Sequence, residues 1–182
     1  MAVNLWPNAD LEAGITDWGL SGGSGILSHA TARAWEETYS LGVDTEGAAY
    51  TGAASTTAVT TGISGSTQYT YSFYVWVVEA NVDIRVLAKD QDDNVLGGET
   101  ASAVAAGQWV RISVSPTTAV DDTGLKFSIY QNATTVDTMF YVDGIMLETG
   151  GSASAWVNYA SGSAIDLTAT IAAVTKVSGP MI

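Results

Sequence analysis

Residues 68–80 read QYTYSFYVWVVEA, and they alternate between two faces. Tyr69, Tyr71, Phe73, Val75 and Val77 fall on one; Thr70, Ser72, Tyr74, Trp76 and Val78 fall on the other. Successive side chains point to opposite sides of a strand, so this period specifies a strand with two distinct faces. The same period recurs. VDIRVLAKD sets Val82, Ile84, Val86 and Ala88 against Asp83, Arg85, Leu87 and Lys89. QWVRISV sets Trp109, Arg111 and Ser113 against Val110, Ile112 and Val114, and LKFSIYQN sets Leu125, Phe127 and Ile129 against Lys126, Ser128 and Tyr130. DQDDNVLGG reads as a polar turn after residue 89, and the pair of runs around it as a hairpin. SHATARAW, YSLGVDT, AASTTAVTTGI and TMFYVDGIML complete a set of about eight strands, with turns every ~8–12 residues. Only residues 31–39, TARAWEETY, could instead form a turn or two of helix. The expected fold is all-β, an antiparallel sandwich of jelly-roll type, each sheet with one face in the core and one in water.

Charge excludes several functions. The chain carries 19 acidic and 6 basic residues, for a net charge of −13. That opposes nucleic acid and anionic membrane surfaces. It has no cysteine and a single histidine, His29. Disulfide scaffolds, thiolate metal sites and Ser-His-Asp chemistry are therefore disfavoured, and His29 reads as an ordinary strand residue. The first residues lack the basic and apolar blocks of a secretory signal, and no run is long enough to span a membrane. The acids cluster at Glu36–Glu37 and at Asp90, Asp92 and Asp93. Neighbours on a strand face opposite ways and a turn cluster is solvated, so neither makes the facing pair of a glycosidase.

Residues 150–182 differ from the rest. Small residues, GGSASAWVNYASGSA, precede a β-branched run in which Ile165, Leu167 and Ile171 alternate. The expected division is a sandwich over 1–159 and an extended C-terminal assembly arm over 160–182. In water that arm would expose Ile165, Leu167, Ile171 and Val174, so it is expected to order against another chain, either an identical subunit or a larger assembly.

Three segments, in order, carry a family resemblance: NLWPNADLEAGITDWGLSGG near the start, YTYSFYVWV with GQWVRISV in the middle, and FYVDGIMLETGGSASAW at the end. Together they resemble the carbohydrate-binding-module jelly roll of the galactose-binding-like superfamily over roughly residues 4–159. The closing motif looks like the version found in structural proteins of tailed bacteriophages. The resemblance implies a calcium ion held by Glu12 and Asp143, with Asn8 and Asp10 adding oxygens. Gly144 departs from the pattern, since many sugar-binding modules carry a second acid there. An alternative for Asp143 is that it points outward or accepts backbone N–H bonds in a turn.

Sugar binding requires flat aromatic faces, and the candidates are Trp6, Trp18, Trp35, Tyr74, Trp76 and Trp109. In the family pattern Trp18 and Trp109 pack the core. Tyr74 and Trp76 share a face of one strand; they stack on sugar if that face is open, and otherwise serve packing or a subunit contact. The resulting expectation is a non-enzymatic virion structural protein. It would decorate the capsid or form a head fibre, dock on a phage capsid or tail protein through its arm, and form a homo-oligomer. The alternatives are a tail or tail-fibre subunit, or a glycan-binding module attaching the particle to the host surface.

Overall fold

A computed structural model describes residues 3–79, 81–132 and 137–157. Among these there is no helix, and ten strands form two five-stranded sheets. The strands are β1 (Trp18–Ser21), β2 (Ile26–Ala30), β3 (Ser40–Asp44), β4 (Gly52–Ser55), β5 (Tyr69–Val77), β6 (Val82–Asp90), β7 (Val95–Val104), β8 (Trp109–Val114), β9 (Leu125–Gln131) and β10 (Met139–Thr149). One sheet runs β1-β4-β9-β6-β7 and the other β2-β3-β10-β5-β8, with antiparallel neighbours throughout. This is the expected all-β sandwich. The arm residues Ile165, Leu167, Ile171 and Val174 lie outside the described residues.

The alternating runs sort as their period dictates. Tyr71, Phe73, Val75, Ile84, Val86, Phe127 and Ile129 are fully buried between the sheets. Trp6 enters from the N-terminal segment, its ring centre 5.5 Å from that of Trp18, 5.5 Å from Tyr71 and 5.7 Å from Phe127. Tyr71 and Phe127 stack at 3.8 Å, joining the two sheets at the centre.

Four details differ from the sequence reading. The hairpin around residues 90–94 joins β6 to β7, and most of VLGG is strand rather than turn. Asp90 closes this turn: its Oδ1 accepts the N–H groups of Asp92 and Asn94, and its Oδ2 the side-chain amide of Asn94. β5 lies in the opposite sheet from β6. Residues 31–38 form bends, neither helix nor strand, so β2 ends at Ala30. Finally, WGLS makes a short edge strand, β1, too brief for a clear period.

β10 departs from simple alternation. Asp143 pairs with Tyr74, but Met146 pairs with Ser72, so one extra residue is accommodated between them as a bulge. Gly144 stands there with φ +55, in the left-handed region. The bulge resets the parity. Val142, Ile145 and Leu147 all reach the core, while Tyr141, Asp143, Met146 and Glu148 take the outer face. The N-terminal segment seals this strand. Asn4 donates from Nδ2 to the Ile145 and Val157 carbonyls, and its Oδ1 accepts from Trp6 and Leu147; the Leu5 N–H binds Leu147 O at 2.7 Å.

Candidate functional site

The outer face of sheet β2-β3-β10-β5-β8 is built from cross-strand rows. One row aligns Tyr141 on β10, Trp76 on β5 and Trp109 on β8. The next aligns Asp143, Tyr74 and Arg111. Outward-facing positions of a solvated sheet would normally be polar, so rows rich in large rings mark this face as unusual.

The loop of residues 31–39 folds over these rows. Trp35 lies parallel to Tyr74, ring centres 3.8 Å apart and planes at 9°, and meets Trp109 edge-on at 6.2 Å. Trp76 and Trp109 meet at 5.8 Å and 65°. The Arg33 guanidinium sits 5.2 Å over the Trp76 ring, and that of Arg111 5.6 Å from the Tyr74 ring centre. Trp156 closes the group: a Cβ built at Gly144 would lie 3.0 Å from Trp35 Cδ1, 3.0 Å from Tyr74 Cδ2 and 3.5 Å from Trp156 Nε1. Gly144 is thus needed twice, for its φ and for the space that lets three rings converge. The Trp156 Nε1–H is buried and has no protein acceptor among the described residues.

Polar contacts fix the frame. Arg111 donates to Ser154 O at 2.5 Å and Ser72 Oγ at 2.8 Å, and Glu148 Oε1 accepts the Ser154 N–H at 2.8 Å. Ser40 Oγ donates to Arg33 O at 2.5 Å. Asp143 Oδ2 accepts the Trp35 N–H at 2.7 Å and its Oδ1 the N–H of Gly144 at 2.6 Å. Burial raises the Asp143 pKa to about 7; the N–H bonds from Trp35, Gly144 and Glu36 oppose that rise, and the nearby Glu12 charge adds to it.

The expected site residues therefore fall as follows. Tyr74 and Trp76 do lie on the outer face, at intermediate burial, but one face of the Tyr74 ring is covered by Trp35, itself at intermediate burial. Trp109 belongs to this face and not to the core, because its strand parity opposes it to Trp76. Trp6 and Trp18 are core residues. Trp156 is missed by reasoning from strands, since it sits in an irregular segment; only its position in the closing motif signals it. His29 stacks on Tyr39 at 4.0 Å and contacts Leu11 O at 2.7 Å, as a strand residue at a loop junction.

Glu12 and Asp143 converge on one loop, Glu12 Oε1 accepting the Thr38 and Tyr39 N–H groups at 2.9 and 2.7 Å. Calcium takes six to eight oxygens. Here N–H donors engage both Asp143 oxygens and one of Glu12, and no cluster of three His, Cys, Asp or Glu suited to a metal occurs among the described residues. Asn8 is likewise engaged, with Gly14 O and the Ala13 N–H. Amide donors on these oxygens offset the burial of Asp143.

A two-sheet jelly roll with aromatic rings gathered on one outer face is the architecture of a carbohydrate-binding module. The sequence model of the carbohydrate binding domain family matches residues 3–136, and this chain belongs to that family. No curated protein sequence matches it. Among solved structures, it is similar to TmCBM61 in complex with beta-1,4-galactotriose (TM-score 0.61, 15% identity, covering 81% of this chain and 99% of that one). It is also similar to the CBM22-2 xylan-binding domain of Paenibacillus barcinonensis Xyn10C (TM-score 0.61, 19% identity, 78% and 98%). A third is the CBM22-1–GH10 part of Clostridium thermocellum xylanase 10B, complexed with xylohexaose (TM-score 0.62, 20% identity, 78% of this chain but 28% of that one). At these identities the likeness concerns the fold.

Proposed function

We propose that this chain is a non-catalytic glycan-binding module whose sugar platform is the outer face formed by Trp35, Tyr74, Trp76, Trp109 and Trp156. The observation that carries the reading is the convergence of these rings outside the core, where the fold itself has no need of them. A pyranose stacks its apolar face on such rings. The acids support binding over hydrolysis. Asp90 belongs to the β6–β7 turn, where the Asn94 hydrogen bonds lower its pKa, and Asp93 is paired with Lys126 at 2.9 Å. Because similar folds are held with β-1,4-linked sugars, affinity electrophoresis and calorimetry against β-1,4-linked xylo- and galacto-oligosaccharides test the proposal. Retardation and saturable heat are expected; silence across the panel overturns it.

A second reading places the module on a tailed-bacteriophage particle, as a capsid decoration, head fibre or tail subunit that reaches host glycans. It rests on the resemblance of the closing motif, which here forms β10, its bulge and the segment that borders the aromatic site. The arm of residues 160–182, with Ile165, Leu167, Ile171 and Val174, would be the anchor, to the particle or to a second copy. Deletion of 162–182 should abolish particle binding and leave glycan binding; full occupancy by the truncated protein removes the arm from that role.

A further inference from the structure

We propose that Arg33 makes this site selective for glycans that carry an isolated sugar carboxylate, a uronate unit on an otherwise neutral chain. The inference rests on the glycan-binding reading and names the ligand class of that same site. Arg33 is exposed, on the face of a protein with net charge −13. Its guanidinium rides 5.2 Å above the Trp76 ring, and its Nη1 donates to the adjacent Ala32 carbonyl at 2.8 Å. Both ion pairs between described residues are elsewhere, where Lys89 and Lys126 meet Asp93. The other cation of the face, Arg111, is committed to Ser72 and Ser154. The remaining Arg111 Nε–H is buried without a partner, so Arg33 is the described cation of this face with exposed donors to spare.

Three acids near the face are engaged by backbone amides. Asp143, Glu12 and Glu148 turn oxygens toward backbone N–H groups. The Arg33 backbone is tied down by Ser40 Oγ, and Trp35, two residues on, is locked on Tyr74, so the base of the side chain is fixed beside the rings. When a pyranose stacks on an aromatic face, its substituents project around the rim of the sugar ring. A uronate carboxylate projects there as a planar group, and the guanidinium fork matches it with two parallel N–H bonds. Neutral sugars would use only single hydroxyl acceptors. Glu36 is exposed on the same loop, and Glu12 reaches that loop at Thr38 and Tyr39. With the overall acidity they repel a continuous run of carboxylates, so a polyuronate is disfavoured while a single uronate is accepted.

The test is calorimetry with three probes: a xylo-oligosaccharide bearing one glucuronate, its carboxyl-reduced counterpart, and an oligogalacturonate. The acidic xylo-oligosaccharide should bind roughly tenfold tighter than the reduced one at low salt, with the gap narrowing as salt rises. It should also bind more tightly than the oligogalacturonate. Arg33→Ala should bring the ratio of acidic to reduced affinities to near one, and Arg33→Lys should leave it intermediate. A merely structural role for Arg33 would lower both affinities and keep the ratio. Equal binding of acidic and reduced probes by the unaltered protein, or a ratio that survives Arg33→Ala, overturns the inference and leaves the glycan-binding reading standing. Tighter binding of the oligogalacturonate overturns the preference for an isolated uronate. No binding to any probe overturns both.

Discussion

The two sheets present opposite solutions to the same problem, a pleated surface with its back to the core and its front to water. On sheet β1-β4-β9-β6-β7 the front residues of β6 and β9 are Asp83, Arg85, Leu87, Lys89, Lys126, Ser128 and Tyr130, and the lysines end at Asp93. A mixed, charged face of this kind keeps a sheet soluble. On sheet β2-β3-β10-β5-β8 the front is Trp76, Tyr74, Trp109 and Tyr141, roofed by Trp35 and Trp156. Both backs are alike, lined by Ile, Val and Phe with Tyr on β5. The core therefore says little about function, and the contrast between the fronts says most.

The largest effect expected is from breaking the bulge that lets the rings converge. Gly144→Val would put a β-branched residue at φ +55 and a Cβ within 3.0 Å of Trp35 and Tyr74. A loss of ~2–4 kcal/mol in denaturant unfolding, with glycan affinity lost alongside, is expected. A variant as stable as the parent would show that the convergence does not depend on this glycine.

Next in size is a paired substitution on the two fronts. Trp76→Ala should weaken glycan binding by tenfold or more, on the order of 1.5 kcal/mol for a lost stacking ring. Tyr130→Ala, at the equivalent depth of the other front, should change it by less than about twofold, within the scatter of a surface substitution. Equal losses in calorimetry would erase the distinction between the faces.

A smaller effect concerns pH. Folding raises the Asp143 pKa from an unfolded value near ~3.9 to about 7. Between those values the folded state holds a proton that the unfolded state has released. This group therefore withdraws stability as pH rises through that window, and withdraws nothing below it. Melting midpoints of Asp143→Asn should fall less steeply from pH 4 to pH 7 than those of the parent. Parallel curves would mean that Asp143 titrates alike in both states.

The smallest expected effect is from chelation. Because N–H donors engage both Asp143 oxygens and one of Glu12, EDTA should leave the melting midpoint where it was. A drop of several degrees, restored by calcium, would show that the 35–39 loop adopts a different, metal-binding geometry.

Much of this molecule is written locally. The period of residues 69–77, 82–90, 109–114 and 125–131 determined which side chains enter the core, because a strand offers only two faces. The acid-rich turn at 90–94 was equally legible. Three things were decided by tertiary structure. Register set the row of Tyr141, Trp76 and Trp109: alternation assigns a residue to a face, but only strand pairing assigns it a neighbour. Parity in β10 was reset by the Gly144 bulge, so the run Val142 to Leu147 serves two faces in a way no fixed period describes. The roof of Trp35 and Trp156 comes from irregular segments, whose side chains have no period and whose positions follow from distant partners, Asp143 for Trp35 and Arg111 and Asn4 for the chain around Trp156. Strand faces are set by bonds to the next residue, whereas this outer face is set by contacts between separate segments, such as Trp35 with Asp143, 108 residues apart.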